Sequence, residues 1–429
     1  MKRTLAFLLV LCQLLIFCAC GEENTAATKT AATEPAAETE TFPLTAVRTV
    51  PQPMKEAPSY VASENASPEE LRKIAVQAMH DELSIQWFTP KTIHYNKEGA
   101  VSGKNFEFLD IRNFAGLPYT SAGYGIFQFL EYYDQKTGEM LYTDSATFNN
   151  TIGNTCASSA MWGWLTVCTT IGGRCISNFL TRQNGFLPVG NYNLPDVADY
   201  ADYYTTRICN ENGADAIYAA YAEVLPADVL CFSEGGDDGG HTMMAVEAAH
   251  VEKNGNKIDP EKSYIVIQDQ RAGFYQETVG KGQVVFYSGR ISEKLSFKEL
   301  FDTHYIPLTC AEFLGTKPYE KASVSLSEPK TISSLGDLKG EKLVSNYALA
   351  YAKLILKGDD GSEILVYRKM YDRNDVGSGK AKNADMDVFA QYDGSTSMKR
   401  KMKNGVKYTA ILTATVANGE TFEICSCPV

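Results

Sequence analysis

Basic residues are scarce in this chain: 40 Lys and Arg stand against 52 Asp and Glu, for a formal net charge of -12. Because such an excess of negative charge repels phosphate backbones and anionic lipid, the composition argues against nucleic-acid binding. Long apolar runs are also lacking. The stretch 5–19 falls short of the roughly 20 residues that a membrane-spanning helix needs. No internal repeat is visible. We therefore expect neither a polytopic membrane protein nor a nucleic-acid binder.

The remaining composition is that of a folded protein. Hydrophobic residues make up 44% and charged residues 21% of the 429 residues, close to the averages of globular domains. By length alone, two to three domains of ordinary size are expected.

The N-terminus indicates export. Lys2 and Arg3 precede the apolar run, a pattern typical of a secretory signal peptide, here 1–19. The segment 16–21 (IFCACG) is similar to the lipobox of bacterial lipoproteins, in which a cysteine after a small residue is acylated. Cys20 follows Ala19, so we expect lipidation at Cys20 and an extracytoplasmic location on the outer face of the cell membrane. A plain signal peptide that releases a soluble protein is the competing interpretation.

Residues 20–66 are predicted to form a flexible acidic tether. They are rich in Ala, Thr, Glu and Pro and poor in large apolar side chains, so they cannot bury enough surface to offset their ordering entropy.

Residues 67–323 have the pattern of an α+β domain. Ser67 followed by Pro68 and Glu70 predicts a helix start, and Thr89-Pro90 its end. Further helices are expected at 151–172 and 214–223. After Pro226 the pattern predicts strands at Asp228–Ser233, His241–Val251, Ser263–Asp269 and Gln283–Tyr287.

Residues 324–429 have the pattern of strands and turns only, which predicts a small all-β, sandwich-like domain. An Asn418-Gly419 hairpin turn supports this interpretation. The segment contains no histidine, so a binding, spacing or wall-contact role is expected. The strands are predicted at Leu343–Ser345, Tyr351–Leu356, Ile364–Met370, Met386–Tyr392, Lys407–Val416 and Thr421–Cys425.

Eight of the 11 cysteines remain after Cys12, Cys18 and Cys20 are set aside. Export permits disulfides, but spacing alone does not select the pairs. A mutual bridge between Cys425 and Cys427, two apart in a strand, would be strained.

Cys156 stands out because it lies where the turn 153–155 meets a helix. Unpaired N–H groups and the positive end of the helix dipole stabilise a thiolate there. Of the five histidines, His241 alone follows a glycine-rich loop and opens an apolar strand, which suits a rigidly held base. Asp237 and Asp238 lie beside it, but no second histidine stands at ligand spacing. We therefore expect no metal and no organic cofactor.

Four segments resemble the NlpC family of papain-like cell-wall peptidases. They are 116–123 (GLPYTSAG), 154–160 (NTCASSA), 226–230 (PADVL) and 239–246 (GGHTMMAV), in the family's order. The resemblance covers about 67–315. It implies a papain-like, NlpC-type fold, Cys156 as nucleophile, His241 as base, and a Tyr119 hydroxyl that points into the site.

A third member should orient the imidazole and stabilise its charged form. The related CHAP family has an acidic residue near the position of Asp269, on the neighbouring strand, and a carboxylate favours imidazolium most strongly. Asp269 is therefore the first candidate and Gln270 the second. Strand alternation allows only one of them to face His241.

The resemblance implies a lipid-anchored cysteine peptidase or amidase that cleaves peptidoglycan stem-peptide or cross-link amides, with cell-wall peptide as its partner. The departures are Thr155, Ala157 and Ser158, where the family has Asp, Ser and Gly. These leave open a hydrolytically inactive domain that binds wall peptides or a partner protein. Two further classes also stay open: a cysteine protease or acyl transferase that acts on proteins, and a structural or adhesion lipoprotein. The sequence does not indicate an oligomeric state.

Overall fold

The computed structural model describes residues 53–96, 106–108, 112–140, 146–147, 152–172, 184–195, 205–234, 239–279 and 283–429. The predicted signal peptide with Cys20, the pair Asp237-Asp238 and Cys175 lie outside these ranges. Within them, no helix has the length and apolar character needed to cross a membrane.

Helices in the described ranges are mostly short. They are α1 (Pro68–Ser84), α2 (Ile126–Leu130), α3 (Cys156–Leu165), α4 (Thr205–Asn212), α5 (Ala214–Tyr221), α6 (Phe297–Asp302), α7 (Arg373–Gly377), α8 (Asp387–Ala390) and α9 (Thr396–Lys399), with a 3-10 turn at Leu335–Leu338.

Strands are concentrated after residue 228. They are β1 (Gln86–Trp87), β2 (Ile93–Asn96), β3 (Phe106–Phe108), β4 (Asn113–Ala115), β5 (Tyr133–Asp134), β6 (Glu139–Met140), β7 (Ala146–Thr147), β8 (Leu187–Pro188), β9 (Val229–Ser233), β10 (Gly240–Ala245), β11 (Lys253–Asn254), β12 (Lys257–Ile258), β13 (Tyr264–Val279), β14 (Gln283–Ser296), β15 (Ile306–Thr309), β16 (Val324–Leu326), β17 (Lys342–Ser345), β18 (Leu349–Gly358), β19 (Glu363–Met370), β20 (Asn383–Asp385), β21 (Tyr408–Val416) and β22 (Thr421–Pro428).

An eight-stranded sheet organises the N-terminal part, in the order β1-β4-β14-β13-β10-β9-β15-β8. Its pairs are antiparallel except for β14 with β4. Helices α1 and α3 pack on each other, and both contact the sheet. The predicted α+β class is confirmed at this level. The order of strands places β10 directly between β9 and β13.

Helix α1 begins as predicted, with the Ser67 hydroxyl accepting from the Glu70 N–H, but it ends at Ser84 rather than at Thr89-Pro90. Helix α3 is much shorter than the predicted 151–172. Strands β13 and β14 are longer than predicted and form one long hairpin.

In the C-terminal part, β19-β18-β21-β22 form one sheet and β16-β17-β20 a second. The prediction of strands alone is wrong here, because Met386–Tyr392 contains helix α8 and two further short helices are present. Met386 and Phe389 are buried three residues apart, which is helical spacing.

The predicted tether is too long at its C-terminal end. Tyr60 is buried, donates its hydroxyl to Asp81 and pairs its N–H with the Asn418 carbonyl. Residues near 60 therefore pack against both parts of the protein.

One hydrophobic cluster runs through both parts. It includes Leu83, Trp164 and Ile267 from the first, together with Leu335 and Leu354 from the second. The predicted boundary at 323/324 coincides with the start of β16, but the apolar core continues across it.

Candidate active site

A tight turn presents Cys156 at the first position of α3. Thr155 is the N-cap, and its hydroxyl accepts from the Ser158 N–H. A Cβ added at Gly153 would overlap the Pro118 carbonyl, so glycine is required for this close approach. The prediction of Cys156 at a helix N-terminus is confirmed.

The turn before Cys156 is paired with the segment that carries Tyr119. The Asn154 N–H donates to the Pro118 carbonyl at 3.0 Å, and the Thr120 N–H donates to the Asn154 carbonyl at 2.8 Å. This pairing brings the Tyr119 hydroxyl to 4.0 Å from the Cys156 sulfur.

His241 and Asp269 face each other on the neighbouring strands β10 and β13. The His241 Nε2 lies 2.5 Å from the Asp269 Oδ2. The histidine side chain is 22% exposed, whereas the aspartate is fully buried. Since Nε2 is occupied by the carboxylate, Nδ1 is the ring nitrogen left for the Cys156 thiol. Asp269 is thus within hydrogen-bonding distance of the histidine ring.

Gln270, the second candidate for the third member, is directed elsewhere. Its Nε2 donates to the Leu117 carbonyl at 2.5 Å and to the Ser288 hydroxyl at 3.3 Å. The alternation along β13 therefore assigns Asp269, not Gln270, to the side of His241.

The electrostatics favour an ion pair between Cys156 and His241. Burial alone would raise the pKa of the Cys156 thiol, but the charge of His241 lowers it, helped by hydrogen bonds from His241, the Thr242 N–H and Tyr119. Burial would likewise lower the pKa of His241, but the Cys156 charge and the Asp269 carboxylate raise it to about 9. Each charge therefore favours the other, which promotes a thiolate beside an imidazolium.

Arg290, which the sequence pattern did not identify, holds Asp269 in place. Its Nε and Nη2 donate to the two carboxylate oxygens at 2.8 and 2.6 Å, and its Nη1 pairs with Glu293. Although burial opposes ionisation, the hydrogen bonds from Arg290 and His241 keep the pKa of Asp269 well below its usual range. The carboxylate next to His241 is therefore charged.

Glu82 is a second residue missed at the sequence level. It is a buried carboxylate on α1 that accepts from the Asn154 Nδ2 at 2.8 Å, the Ser159 hydroxyl at 2.9 Å and the Ile126 N–H at 3.1 Å. Burial raises its pKa to about 8. The signal that identifies it is a glutamate at helical spacing from the buried Ala75 and Met79.

The C-terminal part also contacts this turn. The Arg373 Nη1 donates to the Thr155 hydroxyl at 3.3 Å, and the Arg373 N–H donates to the Gly123 carbonyl at 3.1 Å. A Cβ on Gly123 would collide with the Arg373 side chain. The position where the resembled family has an acidic residue is thus a threonine that caps α3 and accepts from an arginine.

Within the described ranges, one group of side chains has metal-ligand geometry, namely Cys168, Cys310 and Glu312. It contains none of the predicted catalytic residues. The pair Asp237-Asp238 beside His241 lies outside the described residues.

Comparisons of the chain with known protein families, with curated proteins and with solved structures find no match.

Proposed function

We propose that this chain is a cysteine peptidase or amidase of papain-like, NlpC type, and that it acts outside the cytoplasm on peptidoglycan stem-peptide or cross-link amides. The observation that carries the proposal is the arrangement of Cys156, His241 and Asp269, with the histidine Nε2 at 2.5 Å from a buried, ionised carboxylate.

In the proposed reaction the Cys156 thiolate attacks the amide carbonyl carbon. The developing oxyanion accepts hydrogen bonds from N–H groups at the start of α3, which have no intrahelical acceptor. The Tyr119 hydroxyl is near enough to contribute. Each such donor is worth roughly 3 to 4 kcal/mol of barrier.

The leaving amine then takes the proton of His241 Nδ1 as the carbon–nitrogen bond breaks, which leaves a thioester on Cys156. Water attacks this thioester while neutral His241 accepts its proton, and the acid and the thiolate are released. Asp269 stays ionised throughout and holds the ring in the orientation that points Nδ1 at the reacting atoms.

The substrate class is supported by the four segments that resemble wall peptidases and by the predicted export. A peptide amide fits the chemistry equally well whether it belongs to wall or to protein, so the test includes both. Purified peptidoglycan is digested alongside casein, and new amino groups are quantified. We expect release from peptidoglycan and none from casein.

The nucleophile is tested first with a thiol electrophile at mildly acidic pH, where ordinary thiols are protonated. We expect one label per chain, at Cys156. Cys209→Ala is the matched control, because burial raises the pKa of that buried thiol to about 12 and its removal should not reduce labelling. Cys156→Ala should abolish both labelling and hydrolysis with the fold intact.

His241→Ala should lose hydrolysis, whereas His250→Ala should not. His250 is half exposed and pairs with Glu247 rather than with the site. Equal hydrolysis by Cys156→Ala and the wild type would contradict the proposal. Labelling at Cys156 without hydrolysis of either substrate would favour a domain that binds wall peptides without cleaving them.

A further inference from the structure

We infer that Cys168 and Cys310 form a structural disulfide that ties the segment after α3 to the segment after β15. This inference concerns neither the nucleophile nor the substrate, but it rests on the export that the proposed function includes, because disulfides persist in oxidising compartments.

The two sulfurs are already in contact. Their Sγ atoms lie 3.4 Å apart, and both residues are fully buried. A disulfide bond is about 2.05 Å long, so closure requires the sulfurs to approach by about 1.4 Å. Spacing in the sequence offered many pairings. The fold brings together these two cysteines, 142 residues apart.

The other described cysteines behave differently. Cys156 faces His241, while Cys209 and Cys231 make weak contacts with backbone carbonyls. Cys425 and Cys427 lie two residues apart on β22, where a mutual bridge would be strained.

A metal ion is the competing occupant, because Glu312 lies close to both sulfurs. Its carboxylate, however, already accepts from the Thr169 N–H at 3.0 Å, the Thr170 N–H at 3.1 Å and the Thr170 hydroxyl at 2.6 Å. Three ligand atoms also fall short of the four that closed structural zinc sites use.

Nearby cations argue against a metal as well. Arg72 and Lys382 lie close enough to Cys168 to act on it electrostatically. A divalent cation would be repelled by these groups, whereas a neutral disulfide is not.

The bond forms by exchange with another disulfide. One cysteine thiolate attacks that disulfide and releases one thiol of the reagent, and the thiolate of the second cysteine then attacks the resulting mixed disulfide and releases the other. The two cysteines lose two protons and two electrons, and the reagent is reduced to two thiols. The oxidant is a small-molecule or protein disulfide of the extracytoplasmic space. Because the finished core buries both sulfurs, exchange takes place during folding.

The bond constrains the unfolded chain by closing a long loop. It ties the segment after α3, which carries Cys168, to the end of β15, which is followed by Cys310. The C-terminal part of the protein begins shortly after that strand. Its expected effect is on stability and not on chemistry.

The test refolds the full chain from denaturant in a buffer of oxidised and reduced glutathione, alkylates free thiols, and maps the digested peptides by mass spectrometry. We expect one bond, between Cys168 and Cys310, with Cys209, Cys231, Cys425 and Cys427 alkylated. Reduction should lower the Tm by roughly 5 to 10 °C.

Cys310→Ser should have the same Tm with and without reductant, while the matched control Cys209→Ser should keep the reductant-dependent difference. Alkylation of both Cys168 and Cys310 after refolding would overturn the inference. So would a bond from either of them to Cys175. Stoichiometric zinc that protects the two thiols would replace the disulfide with the metal site. If Cys310→Ser does not fold, the peptide map of the wild-type chain still decides.

Discussion

The protonation state of His241 depends on charges on both of its sides. Cys156 and Asp269 together outweigh the burial of the ring and raise its pKa to about 9, while the pKa of Cys156 itself is shifted downward. Each shift favours the charged form of its group, so the pair favours a thiolate beside an imidazolium. Since each charge stabilises the other, the limbs of a pH–rate profile belong to the pair and not to one residue.

Asp269→Asn should shift the alkaline limb of kcat/KM to lower pH. In the wild type, activity should fall as the pH rises through about 9, because the imidazolium then loses its proton. An amide keeps a hydrogen bond but supplies no charge, so the pKa of His241 falls and the alkaline limb moves down by about 1 pH unit or more. Gln270→Ala, on the same strand, should leave the profile in place. A profile that moves with Gln270 and not with Asp269 would reverse the assignment.

Arg290→Gln should lower kcat without moving the alkaline limb downward. The carboxylate loses its two charged hydrogen bonds, so it holds the imidazole less firmly, but its negative charge then acts on His241 with one competing cation fewer. Arg271→Gln is the matched control, because that arginine is 43% exposed and lies 3.9 Å from Asp269. A downward shift equal to that of Asp269→Asn would show that Asp269 had become protonated.

The ends of the elements that carry the site depend on local contacts that a sequence pattern captures only in part. The start of α3 was predictable because the turn residues and Cys156 are adjacent in sequence. The end of β14 was not. The predicted strand ends before Gly289, whereas the observed strand continues through it. A Cβ at this position would collide with the Asp269 carbonyl on the paired strand, so only glycine fits there. In this strand the glycine permits close approach rather than ending the strand.

The same limit explains the wrong strand at Met386–Tyr392. The apolar residues Met386, Val388, Ala390 and Tyr392 fit the alternation of a strand, whereas the buried pair Met386 and Phe389 follows helical spacing. At the start of α8 the Asp385 carboxylate accepts from the Asp387 N–H at 2.8 Å. In the site, Cys156, His241 and Asp269 lie in recognisable local segments. Arg290 and Glu82 do not, because their roles depend on contacts between elements remote in sequence.

Glu82→Gln should remove a pH dependence of the unfolding free energy that is caused by the buried Glu82 carboxyl. The folded-state pKa of Glu82 is raised to about 8. Its stabilising contribution is therefore complete below the ordinary carboxyl pKa of 4.5 and is lost as the pH rises through about 8. The wild type should lose roughly 3 to 5 kcal/mol of unfolding free energy over that range.

The neutral amide cannot ionise, so the loss should be absent in the variant. Urea unfolding between pH 5 and 9 measures it, with Glu69→Gln, exposed on the same helix, as control. If the unfolding free energy of the wild type depends on pH as little as that of Glu82→Gln, the pKa of Glu82 is the same in the folded and unfolded states, which would contradict the prediction. The buried Asn154 Oδ1, which has no partner, supports protonation, because an amide flip would let it accept from the neutral acid.

The two parts of the protein share one apolar core and are joined by buried polar contacts. The Gln128 Nε2 donates to the Tyr371 carbonyl at 3.0 Å, and the Arg368 Nη1 pairs with Glu131 at 2.8 Å. The C-terminal part is therefore packed firmly on the part that carries Cys156 and is not a loosely attached module. Through the hydrogen bond from Arg373 to the Thr155 hydroxyl, the C-terminal part also contacts the N-terminus of α3.

Arg373→Ala should slow both labelling of Cys156 and hydrolysis by roughly threefold to tenfold, the range expected for one hydrogen bond to a polar group near the site. The variant loses the bond to the Thr155 hydroxyl, so the N-cap residue directly before Cys156 is less constrained. Arg368→Ala is the matched control, since it breaks an ion pair between the same two parts without touching α3. It should lower the Tm and leave the labelling rate unchanged.

Arg373→Lys keeps a charged donor on a shorter side chain, so its labelling rate should lie between those of Arg373→Ala and Arg368→Ala. If Arg373→Ala and Arg368→Ala change the Tm and the labelling rate alike, the effect is general loosening of the contact between the two parts, and Arg373 does not act on the nucleophile.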